Sequence, residues 1–352
     1  MLSTFRVETL SVSFFLLHNL FLSRAWALAA PSSTDVSPTP TMTAKNCDYQ
    51  PDSRMPTDSW DSHLHILDPV RFPPLPGSYE FGTYTAWDAT IEETRIGCSH
   101  MVLIQPSVYG NNNTFLIDTL KAFGPDRALG VVVFDVTNIS TAQLQEWDDL
   151  GVRGVRLNFQ SSGDTPPAKD LIKMLEQYAN AIRPFSWVLQ IYISMKDIPS
   201  IESIIPTLGV KVVFDHLGHP DIPKSNTSEI GNSQRLDPHS LAGFDAFLRL
   251  IRQGNTWVKV SGVYRLSRVP GPLYTDVDPI ILELFREAPS QLVYASDWPH
   301  TRFEGLDIKP WTSHLLDLTE GRIGLVNKLF RDNARDLWVG NDTRTDFARY
   351  YG

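Results

Sequence analysis

Two histidines a single residue apart, His63 and His65, end the stretch Trp60-Asp61-Ser62-His63-Leu64-His65, and the breaker pair Asp68-Pro69 follows shortly. On a strand, side chains two positions apart share a face, so both imidazoles point the same way. A pair so placed can ligate a metal, serve a reacting carbonyl, or pair quietly inside a half-buried strand. Further along, Asp215-His216 ends one apolar run, and Asp297, within Ser296-Asp297-Trp298-Pro299-His300, ends another. Imidazoles beside a carboxylate are the groups of acid–base catalysis, or of a zinc site with an open position.

Elements must bring these distant residues together. Eight β-branched, apolar runs read as strands: Trp60–His65, His100–Gln105, Ala128–Val133, Val155–Asn158, Val188–Ile193, Val210–Asp215, Trp257–Ser261 and Leu292–Ser296. Helix-length segments follow each, and stretches such as Asp170–Ile182 and Leu241–Ile251 place apolar residues three and four apart. Alternation of this kind predicts an α/β fold, a (β/α)8 TIM barrel. The alternative is a doubly wound open sheet, but no Gly-x-Gly-x-x-Gly follows any strand.

In such barrels the chemistry sits at the C-terminal ends of the strands. There the sequence offers Gln105, Arg156, Asn158, Gln190, Tyr192, Asp215, His216, Lys259, Ser261 and Asp297. Arg156 and Lys259 are candidates to bind a substrate carboxylate or to form ion pairs inside the barrel. Gln105, Gln190 and Tyr192 are candidates to orient it. His300 reads as a wall residue and His219 as a loop residue. Two long connections, 69–85 and 218–238, leave strand C-termini and read as lids or substrate walls.

His63-Leu64-His65, Val213-Phe214-Asp215-His216-Leu217-Gly218-His219-Pro220-Asp221, Lys259-Val260-Ser261-Gly262 and Ser296-Asp297-Trp298-Pro299-His300 together resemble the amidohydrolase superfamily. Ile104-Gln105-Pro106-Ser107-Val108-Tyr109-Gly110 is similar to the second-strand loop of its 2-pyrone-4,6-dicarboxylate lactonase and sugar-lactone hydrolase branch. The resemblance spans about residues 58 to 340. It implies a lactonase in which water attacks a cyclic ester, with Asp297 as general base and His63, His65 and His216 around the carbonyl.

The departures bear on cofactors. Dinuclear members carry a bridging Lys at strand 4, where this chain has Arg156, Leu157 and Asn158. Mononuclear decarboxylases use a further His at strand 5, where Gln190 and Tyr192 stand. The resembling branch works without a metal, and that is the expectation here. The alternative is one divalent cation, zinc or manganese, on His63, His65 and Asp297. Rival functions are a metal-dependent decarboxylase of an aromatic or muconate-type acid and a non-catalytic barrel that binds a small molecule.

The chain has 352 residues and a formal net charge of -9, with no basic run, which argues against a nucleic-acid surface. The expected partner is a small lactone or carboxylic acid, and sequence leaves the oligomeric state open. Residues 1–29 read as a signal peptide, with an apolar run from Leu10 to Leu22 and small residues before the cleavage point. Residues 30–57 read as a Pro/Ser/Thr-rich linker, 58–340 as the barrel and 341–352 as a tail. Sequons at Asn112, Asn138, Asn226 and Asn341 agree with a secreted glycoprotein free of the membrane once the signal is cleaved. A start at Met55 would instead leave the protein cytoplasmic. Cys47 and Cys98 either pair or sit apart.

Overall fold

Period-two runs that are apolar on both faces belong in a sheet covered on both sides. In a computed structural model, which describes residues 50–161, 163, 165–223 and 236–340, they form one parallel sheet. Its strands are β1 Trp60–Leu64, β2 His100–Ile104, β3 Ala128–Val132, β4 Val152–Asn158, β5 Val188–Tyr192, β6 Val212–Phe214, β7 Thr256–Val260 and β8 Leu292–Tyr294, hydrogen-bonded in that order. Between β8 and β1 the closure is made by backbone bonds from Asp297 N–H to the His63 carbonyl (2.9 Å) and from His65 N–H to the Trp298 carbonyl (2.8 Å). The eight strands thus form a nearly closed barrel.

Helices Ala86–Ile96 (α1), Thr114–Phe123 (α2), Thr141–Asp149 (α3), Ala168–Ile182 (α4), Phe244–Arg252 (α5), Val263–Leu266 (α6), Asp278–Glu287 (α7) and Lys309–Leu318 (α8) surround it. The spacing of Leu171, Leu175, Ala179 and Ile182 gives α4 its buried face. No α-helix follows β5 directly. Pro199 and Pro206 confine that connection to 3-10 turns at Met195–Ser200 and Ile205–Thr207, because proline lacks the N–H and clashes with the preceding turn. Strand β4 starts three residues before the expected Val155 and includes Gly154, where a Cβ would lie 2.7 Å from the Val188 carbonyl oxygen.

One irregularity aims the histidine pair. Between Asp61 and Leu64 the register of β1 slips by one residue against β2. Asp61 Oδ1 captures the backbone N–H of His63 (2.9 Å) and, across the closing seam, that of Ser296 (3.0 Å). The Asp61 carboxylate faces Glu93 of α1. Ser62 meets Trp338, whose indole N–H donates to its Oγ (3.1 Å), and His63 turns to the barrel axis.

The interior floor is apolar, made of Trp60, Val102, Ile104, Leu129, Val131, Val188, Val213, Trp257 and Val293, and plugged by Leu337 and Trp338. Residues 50–57, expected as the end of a linker, pack on the barrel: Arg54 pairs with Asp317 (2.6 Å), and Met55 lies against the core. The stretch 1–29 expected to be a signal peptide, residues 30–49 with Cys47 and its possible pairing, the sequons at Asn226 and Asn341, and the stretch 341–352 expected as a tail lie outside the described residues.

Candidate active site

Alternation along the strands builds the site in tiers. On β7, Trp257 belongs to the floor, Lys259 lies one tier higher, and Ser261 just beyond the strand reaches His216; on β5, Val188, Gln190 and Tyr192 climb in the same way. At the mouth lies a cavity of about 240 Å³, lined by His65, Arg156, Tyr192, His216 and Asp297 together with Tyr79, Ser107, Arg265, Thr301 and Arg302. The 69–85 connection supplies Gly77, Ser78 and Tyr79 to its wall, as a substrate-wall segment should. Of the 218–238 connection, residues 224–235 lie outside the described residues.

His63 and His65 converge as their spacing implies, Nε2 to Nε2 at 3.2 Å. Asp297 Oδ1 faces both, 3.7 Å from His63 and 4.0 Å from His65. The other oxygen of Asp297 is held by Tyr264 Oη (2.6 Å) and Arg265 Nε (2.9 Å). His216 approaches that side, with Nε2 3.9 Å from Asp297 Oδ2, while its Nδ1 meets Ser261 Oγ at 2.8 Å. Gly262 fits against this ring because a Cβ there would come within 2.7 Å of it.

Other expected residues sit deeper. Lys259 and Gln190 are fully buried below the cavity, so neither meets a substrate there. Gln190 Nε2 donates to Asp215 (2.8 and 3.0 Å), and Lys259 Nζ donates to Gln190 Oε1 (2.7 Å). Both lie a single tier below the cavity lining, about two residues along a strand. Gln105 turns to its own loop, donating to the Gly110 (3.1 Å) and Asn112 (2.8 Å) carbonyls. Arg156 both lines the cavity and bonds Asp215 through Nε (3.0 Å). His219 Nδ1 lies 3.2 Å from Tyr192 Oη, and His300 packs its ring on Tyr264.

The backbone around these groups is strained. His216, Leu217, His219, Asp297 and His300 all have positive φ, between 50° and 62°. Non-glycine residues adopt this region at a cost of order 1–3 kcal/mol each, and only where their surroundings over-determine it. Here the strain lies in the two segments that follow β6 and β8 and carry the acid and the third imidazole.

Electrostatics fix the charge states. Burial alone would raise the Asp297 carboxyl, but His216, Arg265, His63 and His65 together hold it well below the usual carboxylate range. Asp215 is likewise pushed up by burial and held low by Lys259, His63 and Arg156. Burial, reinforced by Arg156, lowers His65 to about 4, and burial also depresses His63 and His216. The imidazoles are therefore neutral at neutral pH beside two carboxylates.

Donors at about 2.0–2.2 Å from one tetrahedral ion stand roughly 3.3–3.5 Å apart. The His63, His65 and Asp297 separations surround that range, and Arg265 leaves Asp297 Oδ1 facing inward, so this set fits a divalent cation. Tyr264, Arg265, Thr301 and Arg302 escaped the sequence reading. The signal for the first two was their place just beyond Ser261-Gly262, in the turn that leaves β7 toward the mouth.

A nearly closed parallel barrel with neutral imidazoles, an ionised aspartate and arginines at its C-terminal mouth defines a (β/α)8 enzyme of hydrolase type. The chain belongs to the amidohydrolase family, whose sequence model matches residues 60–339. It is similar to a 2-pyrone-4,6-dicarboxylate hydrolase of Comamonas testosteroni, 31% identical over 82% of this chain and 92% of that one. A 4-sulfomuconolactone hydrolase of Hydrogenophaga intermedia is 27% identical over 72% of this chain and 78% of its own. Among solved structures, a Pseudomonas putida protein assigned as a 2-pyrone-4,6-dicarboxylic acid hydrolase superposes with a TM-score of 0.65 at 27% identity, covering 82% of this chain and 99% of that one.

Proposed function

We propose that this protein opens the ring of a carboxylated lactone by attack of water on the ring carbonyl. The observation that carries the reading is the posture of Asp297, ionised, clamped through Oδ2 by Tyr264 and Arg265, with Oδ1 turned toward the paired imidazoles. A carboxylate so held is a fixed proton acceptor beside a small cavity.

Hydrogen-bond polarity assigns the histidines different tasks. The Ile104 carbonyl only accepts, so His65 Nδ1 donates to it (2.8 Å) and His65 Nε2 is left as an acceptor. His65 therefore orients the N–H of His63 or the O–H of water rather than donating to the carbonyl. In the tautomer whose Nδ1 accepts from the Ser261 hydroxyl, His216 presents Nε2–H to the oxygen on which charge develops. Asp297 Oδ1 takes the proton as the water oxygen bonds the carbonyl carbon. The ring C–O bond then breaks, and the same proton passes to the departing ring oxygen.

Charge supports a carboxylated substrate. Arg156, Lys259 and Arg265 face Asp215 and Asp297, three cations to two anions, and Arg302 at the rim adds another positive group. The lactone-hydrolase relatives agree with this class. A divalent cation, when bound, would be held by His63, His65 and Asp297 and would supply Lewis-acid polarisation of the carbonyl or a more acidic water.

A panel of pyrone and muconolactone carboxylates, followed by acid release and by loss of lactone absorbance, tests the proposal. Ring opening that Asp297→Asn abolishes is the expected result. Carbon dioxide release without acid production would replace it with decarboxylation, and tight binding of a lactone without turnover would replace it with a binding role.

A further inference from the structure

Lys259 is the one buried lysine inside the barrel among the described residues, and beyond its charge the ring-opening steps above give it no task. Its Nζ has three N–H groups to place. Three described acceptors surround it: Gln190 Oε1 at 2.7 Å, His63 Nδ1 at 3.3 Å and Asp215 Oδ1 at 3.5 Å. Trp338 covers its remaining side with the ring face, 5.3 Å away. All three N–H groups are satisfied if His63 Nδ1 is a lone pair.

The competing arrangement has His63 Nδ1–H donating to Asp215 Oδ1, 3.2 Å away. Asp215 does not need it, because its two oxygens already take Gln190 Nε2 (2.8 and 3.0 Å) and Arg156 Nε (3.0 Å). That arrangement also leaves His63 Nε2 as a lone pair, 3.2 Å from the Nε2 lone pair that His65 must present once its Nδ1 donates to Ile104. Two lone pairs at that separation repel unless a cation or proton lies between them. With the proton on His63 Nε2 instead, one unbroken series of hydrogen bonds runs from Lys259 to His63, from His63 to His65, and from His65 to the Ile104 carbonyl.

We propose that Lys259 is a positioning residue that selects the tautomer of His63: by donating into Nδ1 it makes Nε2 an N–H donor to His65, whereas Asp215 favours the opposite tautomer that opens the histidine pair to a cation. The inference rests on the ring-opening reading only for its effect on turnover. It gives His63, fully buried behind the cavity, a part in orienting His65 and through it the attacking water. The preference of this site for water chemistry or for a metal is then decided by residues below it that stand outside the His63, His65 and Asp297 set.

Lys259→Met keeps the length of the side chain and removes the donor. In histidine-labelled, chelator-treated protein, nitrogen NMR should place the His63 proton on Nε2 in the parent and on Nδ1 in the variant. Zinc affinity, read by competition with a chromophoric chelator, should tighten at least 10-fold. Turnover of the chelator-treated variant on a responsive lactone should fall at least 10-fold, with KM within about 3-fold. Asp215→Asn should leave the proton on Nε2, as in the parent, and weaken zinc binding, so the idea stays testable if Lys259→Met does not fold: a proton moved to Nδ1 or unweakened zinc binding in Asp215→Asn overturns it. An unchanged tautomer in Lys259→Met, or zinc affinity that moves the same way in both variants, overturns it. If no lactone is turned over, the ring-opening reading fails while the tautomer and zinc readouts still judge Lys259.

Discussion

On β5 and β7 the floor of the barrel is Val188 and Trp257, whereas one tier above, the same strands carry Gln190 and Lys259, and above those stand Tyr192 and Ser261. The floor is held by packing that tolerates no gap. The tiers above it are held by matched donors and acceptors, in which each group fixes the protonation or direction of the next. Equal burial thus serves two purposes: at the floor it excludes water, and higher up it makes every polar group dependent on its neighbours. Changes at the mouth should cost function first, and changes at the floor should cost stability first.

Asp297→Asn should separate the two ends most sharply, lowering kcat about 10²–10⁴-fold, with the thermal midpoint and circular dichroism near those of the parent. A fully active variant would remove Asp297 from the chemistry. Trp60→Ala, at the floor, should cost roughly 3–5 kcal/mol of stability, read by urea unfolding, with KM of the folded fraction little changed. Loss of activity without loss of stability in that variant would break the division.

Arg265→Gln is intermediate. It should raise KM about 10-fold or more, the size of a lost charge-assisted bond. Losing the cation beside Asp297 also lets its carboxyl pKa rise, so the acid limb of the kcat profile should move toward neutral pH. In the parent, His65 is lowered to about 4 and Asp297 stays ionised, so the acid limb set by His65 should lie near pH 4. An acid limb centred near the usual histidine value of about 6.5 would contradict a neutral, buried His65. The smallest effect should come from Tyr79→Phe, which removes an Oη bond to Thr301 Oγ1 (3.0 Å) at the rim. About 1 kcal/mol or less is expected there, seen as a change of a few-fold in KM.

The sequence made the strands legible because a period of two is written locally, and it made His63, His65, His216 and Asp297 legible because each lies at a strand end. Depth was not legible. Alternation places Lys259 on the inner face, but whether that position is mouth or middle depends on how far each strand is staggered against its neighbours, a property of the closed barrel. The slip in β1 was hidden for a similar reason, since it depends on Asp61 reaching two backbone N–H groups, one of them on β8. Arg265 was missed because it stands on a four-residue helix too short to show a period. Pro199 and Pro206 were in plain view and did mark the place where a helix fails.

Trp338 also places the site in the order of synthesis. Its indole bonds Ser62 from 276 residues away, and its ring covers the lysine that orders His63. The first strand leaves the ribosome carrying both histidines long before the plug beneath them has been made. Most of the barrel can gather around these imidazoles while they remain open to solvent from below, and the pair becomes dry only when the helix Asn333–Trp338, the last one described, docks. Competence for chemistry should therefore lag behind compactness during folding and arrive together with that helix.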